Sequence, residues 1–200
     1  MIITAIRQQK RLKGRYSIYI DGKYTFSLSA DTLLDEGLYS GQEIDEAQLK
    51  AYKKLSTDDK AYSLALAYVA RRMRSRWEIA DYFRRKEYDG ALSVQLLERL
   101  ERIGLVDDRK FAEAWVRNRR LLKPVSKRRL VQELRQKHVA DEAIDQALQE
   151  DEGDERTVLR ELIAKRRRQP RYQDDHKLMQ YLARQGFSYD DIKAVLNEEA

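Results

Sequence analysis

The chain has 200 residues, 42% of them hydrophobic and 37% charged, with no cysteine and a formal net charge of +6. The length allows one large domain or a few small modules. A charged share above the usual roughly 25% favours narrow elements with one wet face over a buried parallel sheet. The missing thiols exclude disulfides, thiolate metal sites and cysteine nucleophiles, and the basic balance favours an anionic partner. No apolar run approaches the roughly 18 residues that span a bilayer, and Met1–Arg7 lacks the layout of a secretion signal. A soluble cytoplasmic protein without a membrane partner is therefore expected.

The first 55 residues read as a β-rich extension. Tyr16, Ile18 and Ile20 alternate with Ser17 and Tyr19, and Tyr24, Phe26 and Leu28 alternate with Thr25 and Ser27, the period of two that marks half-buried strands. Asp21-Gly22 between the runs has the chemistry of a tight hairpin turn. Ile2 to Gln8 makes a third strand, joined through a Lys13-Gly14 turn. Leu33, Leu34 and Gly37 predict a short helix with a glycine stop, and Asp45 to Leu55 another helix. So small a sheet needs something to pack on. Its functional reading is a docking surface offering Tyr16, Tyr19 and Tyr24; its structural reading is a stabilising extension.

From Ser56 onward the period is helical, interrupted only by Pro124 and Pro170. A shift of 48 positions carries Phe111 to Leu159, Trp115 to Ile163, Leu130 to Leu178, Leu134 to Leu182, Val139 to Phe187, Ile144 to Ile192 and Leu148 to Leu196. It also carries Ser126 to Asp174, both good N-caps. A looser earlier copy, 51 positions back, places Ser75, Ile79, Phe83 and Tyr88, with Val94, Leu97, Leu100 and Ile103 on its third helix. The best-defined copy runs as helices Asp108–Leu122, Ser126–Lys137 and Asp141–Gln149, with Asp107 or Asp108 as the first cap and Gly104 ending the helix before it. Helices this short cannot bury an apolar stripe alone, so neighbouring copies are expected to stack. The fold predicted is mainly α: an elongated curved array of three tandem three-helix repeats (56–106, 107–150 and 151–200) after the β-rich extension (1–55).

Basic residues recur where the first helix of each repeat ends and the second begins. The first repeat has Arg71, Arg72, Arg74 and Arg76; the second has Arg117, Arg119, Arg120, Lys127, Arg128 and Arg129; the third has Lys165 to Arg168. Asp58-Asp59, Asp107-Asp108 and Asp154-Glu155 start the first helices and the arginines end them, a polarity that dipole matching accounts for. It does not account for Lys127-Arg128-Arg129 in a first turn, where cations are unfavourable. Those residues are candidates for an anion-binding face or for a solvated one. The third run is offset by the acidic segment Glu150 to Glu155 and carries less weight. Trp115 shares a face with Phe111 and reads as core, while Trp77 follows Arg76 and is less determined.

The segment Gly104 to Arg119, the run Arg129-Leu130-Val131-Gln132-Glu133-Leu134-Arg135-Gln136-Lys137 and the earlier Ser75-Arg76-Trp77-Glu78-Ile79 together resemble the RecX family of recombination regulators. The resemblance covers about Asp58 to Leu196, and the leader is similar to an extension found in some members. It implies a non-enzymatic protein that binds the RecA recombinase filament on single-stranded DNA, lies along the filament groove and restrains strand exchange, ATP hydrolysis and coprotease activity. Pro124 and His138 stand where the family often has glycine, so His138 must accept a left-handed conformation.

Nothing in the sequence points to catalysis. His138 and His176 lie in different repeats, and there is no metal-ligand spacing, glycine-rich phosphate loop or H-E-x-x-H pattern. No cofactor or metal is expected. The expected activity is that of a monomeric modulator, most simply an inhibitor, of the recombinase filament. Arg71, Arg72, Arg74, Arg76, Arg117, Arg119, Arg120, Lys127, Arg128 and Arg129 would face either DNA phosphates or acidic patches on the recombinase. The alternatives are a stand-alone DNA-binding helical array and a pure protein–protein scaffold.

Overall fold

The computed structural model describes residues 1–151 and 153–198. They form three strands and ten α-helices, which fall into two compact units: 1–72 with 88–98, and 73–87 with the chain from Arg99 onward. Glu152, in the acidic segment, and the last two residues of the third repeat lie outside the described residues.

In the first unit, β1 (Ile3–Gln8), β2 (Arg15–Ile20) and β3 (Lys23–Ser29) make an antiparallel sheet in the order β1-β2-β3. Asp21 and Gly22 have φ of 48° and 82°, the left-handed pair that matches a two-residue turn to the strand twist. Ile3, Ile18, Ile20, Phe26 and Leu28 are buried on one face, where α1 (Ala30–Asp35) and the next helix complete the core. Tyr16 and Tyr19 are half-buried and Tyr24 is exposed.

The helix expected over Asp45–Leu55 does not stop there. α2 is continuous from Glu46 to Val69, opened by a capping box between Asp45 and Gln48. Asp59, expected at the start of a helix beside Asp58, is therefore mid-helix. Its carboxylate is buried against β3, accepting from the Ser29 N–H (2.9 Å) and Oγ (2.6 Å) and the Thr32 hydroxyl (2.8 Å). Arg15 closes the site at 2.9 Å, its other donors reaching Ser27. A sheet too small to stand alone is thus clamped to a long helix by a fully satisfied ion pair.

α3 (Arg76–Arg85) and α4 (Gly90–Arg102) follow. Leu96, Leu97 and Leu100 are the buried face of α4, whereas Val94 and Ile103 are exposed; the spacing had put Val94, Leu97, Leu100 and Ile103 on that face. The true pattern of adjacent and i+3/i+4 leucines starts two residues later than the one read.

α5 (Asp108–Leu122), α6 (Lys127–Gln136) and α7 (Asp141–Gln149) make the second repeat. α8 (Glu155–Arg167), α9 (Asp175–Arg184) and α10 (Tyr189–Glu198) make the third. The 48-residue register holds in space: Leu130, Leu134, Leu178 and Leu182 have no exposed surface, and each repeat closes its own core. Stacking is therefore not what buries these stripes, because three short helices folded on one another suffice. Asp107 caps α5, accepting from Arg109 and Lys110 N–H, and the Lys110 bond first of all draws its pKa below the ordinary aspartate value.

Successive repeats meet through a polar joint that recurs. Ser75 Oγ caps α3 and also donates to the Lys137 carbonyl at the end of α6 (2.9 Å). The Arg76 N–H donates to Asp108 (2.7 Å) at the start of α5. One repeat on, Ser126 caps α6 while its N–H donates to the Gln185 carbonyl at the end of α9 (3.1 Å), and the Lys127 N–H donates to Glu155 (3.2 Å) at the start of α8. An acid from the following repeat thus completes each N-terminus, which offsets the unfavourable cations Lys127-Arg128-Arg129. His138 has φ 54° and stacks on Trp77 with ring centroids 4.3 Å apart; Gly186, its counterpart, has φ 93°.

Candidate nucleic-acid interface

The sequence marked ten cations, and the eight that fall in the second unit are not gathered on one surface. Arg71 and Arg72 lie in the first unit, both exposed. In the second unit, Arg74 is half-buried and Arg76 pairs with Glu101 at 2.7 Å. The six of the second repeat divide by helix periodicity. Positions 117 and 120 share one face of α5, and 119 lies on another.

Arg119 and Arg120 are held by carboxylates inside the protein. Glu133 accepts both Arg119 donors (2.7 and 2.9 Å) and the Trp115 indole N–H (3.0 Å), and it sits 3.5 Å from Arg129. The Arg119 guanidinium also stacks 5.4 Å over the Trp115 ring. Arg120 grips Asp151 (2.7 Å) and the Val125 carbonyl (2.8 Å), and this pair is nearly buried, at 13% and 7% side-chain exposure. Trp115 packs on the core through Phe111, as its spacing implied. Arg117 and Arg128 are exposed, and Lys127 is half-buried.

Two clefts flank the α5–α6 turn where the second and third repeats meet. One, of about 800 Å³, is lined by Glu113, Glu150, Asp151, Asp154 and Glu161 together with Arg117 and Arg120. Glu150 and Asp151 of the acidic segment belong here, and Asp154 caps α8 by accepting from the Thr157 N–H. The other, of about 420 Å³, is lined by Arg119, Lys123, Arg129, Lys165, Arg166 and Arg184, with Glu133 its one carboxylate. Glu150, Asp151 and Asp154 thus line the other cleft and not this basic one. Lys165 and Arg166, which the sequence discounted, are central; Lys123 and Arg184 were not singled out at all. No local signal marks Arg184, because its place depends on how α9 packs beside α6.

Among the described residues, Lys123, Lys165, Arg166 and Arg184 have no carboxylate partner. Arg166 donates to the Tyr181 hydroxyl (2.7 Å) and lies 4.5 Å over that ring, while its buried Nε has no acceptor. Arg184 Nε reaches only the Gln180 carbonyl of its own helix. Elsewhere in these repeats some exposed arginines find acids, Arg109 with Glu113, Arg135 with Asp141 and Arg160 with Glu198, and others such as Arg168 stand singly among the described residues. Clustered like charges without counter-charge are unfavourable, and they create a strong local positive potential. Chemically the cleft can bind an anion; no group of described residues is arranged to hold a metal ion.

Comparison with known proteins gives consistent matches along the chain. Residues 1–45 match the family model of the regulatory protein RecX N-terminal domain, and 61–100, 107–148 and 154–196 match the first, second and third three-helix domains of RecX. A protein named Regulatory protein RecX from Bacillus pumilus is 31% identical over 201 residues, covering 98% of this chain and 76% of that protein. Its namesake from Levilactobacillus brevis is 34% identical over 194 residues, covering 94% and 73%. A crystal structure of regulatory protein RecX superposes with a TM-score of 0.73 at 30% identity, covering 98% of both chains.

Proposed function

The chain belongs to the RecX family of regulatory proteins, and from that premise we propose that it binds the filament of a RecA-type recombinase on single-stranded DNA and restrains it. Strand exchange, ATP hydrolysis and coprotease activity are the filament functions it would lower, acting as a monomer in the cytoplasm. The observation that carries this reading is the basic cleft beside the α5–α6 turn, where Lys123, Lys165, Arg166 and Arg184 have no carboxylate partner among the described residues. A polyanionic assembly supplies counter-charges. The exposed Arg129 belongs to the same cleft and Arg128 stands beside it in the chain, while Arg119 and Arg120 hold the framework in place; Arg117 lines the other cleft.

The test is ATP hydrolysis by a RecA-type recombinase on single-stranded DNA, titrated with the intact chain. A saturable fall in rate, with the chain co-sedimenting with the filament, is the expected result. Unchanged hydrolysis without co-sedimentation overturns the reading.

A further inference from the structure

We propose that the basic cleft is a phosphodiester site, through which the protein touches the DNA strand itself. This rests on the filament reading above and narrows it, since a filament offers both strand phosphates and protein carboxylates.

The donors and acceptors that line the cleft select its ligand. Lys123, Lys165, Arg166 and Arg184 are donors only. The one carboxylate, Glu133, already accepts from Trp115 and Arg119 and lies beside Arg129. Any ligand that brings N–H groups therefore finds no charged acceptor left for them. A peptide brings a backbone N–H with nearly every carbonyl, so an acidic segment lodged here leaves donors facing donors. A deoxyribose-phosphate backbone carries acceptors only. Its charge sits on paired non-bridging oxygens, which match the fork of a guanidinium such as Arg184. Arg166, held over the Tyr181 ring with a buried unpaired Nε, adds a second fixed guanidinium. Phosphate contact of this kind is indifferent to sequence and releases counterions. Leu122 at the cleft edge is 73% exposed and leaves room for a base against it.

The experiment needs no recombinase. Fluorescence anisotropy follows a labelled oligothymidylate titrated with the intact chain at several salt concentrations. The variant Lys165→Gln/Arg184→Gln changes two exposed side chains, so folding is spared; Lys177→Gln/Lys193→Gln, equally exposed and outside the cleft, is the charge control. The cleft variant is expected to bind about tenfold more weakly, with a salt slope shallower by about 0.7 for each phosphate it no longer neutralises. The control keeps wild-type behaviour apart from a small shift, and an oligothymidylate with an uncharged methylphosphonate backbone does not bind. Equal affinities and slopes for both variants overturn the phosphodiester site. So does an oligoglutamate that binds the wild-type cleft more tightly than the oligothymidylate. A chain that restrains the recombinase yet gives either of those results leaves the filament reading standing and removes this one alone.

Discussion

The first helices of the second and third repeats end in matching basic runs, Arg117, Arg119 and Arg120 against Lys165, Arg167 and Arg168, but the two repeats treat that charge differently. In the second, Glu133 on α6 neutralises Arg119 and Asp151 neutralises Arg120. In the third, the position of Glu133 is Tyr181, a neutral ring and hydroxyl that orients Arg166 without cancelling it. Arg167 finds Asp175, and Lys165, like its counterpart Arg117, has no carboxylate partner among the described residues. A basic run is therefore not itself a site. What the second helix presents to the run decides whether it stabilises the fold or remains free for a ligand.

Breaking the neutralised side has the largest effect. Arg120→Ala leaves Asp151 as an unpaired, nearly buried charge, and is expected to lower unfolding free energy by about 3–5 kcal/mol in urea denaturation. The same change at its exposed counterpart Arg168 stays within about 0.5 kcal/mol. Equal losses at the two positions contradict the contrast. Glu133→Ala removes the acceptor of Arg119 and Trp115, which keep some access to solvent, so the expected loss is smaller, about 2–3 kcal/mol.

Transplanting the glutamate sharpens the comparison from the other side. Tyr181→Glu places a carboxylate under Arg166 and gives the third repeat the second repeat's chemistry. The variant should keep its fold by circular dichroism and bind single-stranded DNA about tenfold less tightly. Undiminished binding would mean that neutralisation by α9 is irrelevant to the cleft.

The smallest effect concerns pH. Asp107 has a folded pKa below its unfolded value, chiefly through the Lys110 N–H. Its contribution is present above the unfolded pKa and is lost as pH falls through the folded one. Asp107→Asn should thus be less stable than wild type near neutrality, the gap closing as pH drops below the ordinary aspartate range. Asp108, raised first of all by burial at the joint, has the opposite sign: its contribution is complete below the unfolded pKa and fades as pH climbs through the folded one. A gap for Asp107→Asn that widens in acid contradicts the capping role.

The helical repeats were legible because a 3.6-residue period and serine or aspartate caps are local signals. Leu130 and Leu178 fill equivalent places, and His138 takes the left-handed turn its position demanded. The break between α2 and the first repeat was misread because Asp58-Asp59 looks like a helix start. Only the fold reveals Asp59 as the carboxylate that Ser29, Thr32 and Arg15 hold. The cleft was half legible: the cations show in sequence, but their counter-charges are 14 to 31 residues away along the chain. Proximity in sequence suggested that the acidic segment offsets the run it precedes, whereas its Asp151 pairs with Arg120 of the repeat before.

The most direct measurement titrates a RecA-type filament, preassembled on single-stranded DNA, with the wild-type chain, Lys165→Gln/Arg184→Gln and Lys177→Gln/Lys193→Gln, reading ATP hydrolysis at low and moderate salt. The account predicts half-maximal inhibition at a clearly higher concentration, with a weaker salt dependence, for the cleft variant alone. Three coincident curves would contradict it.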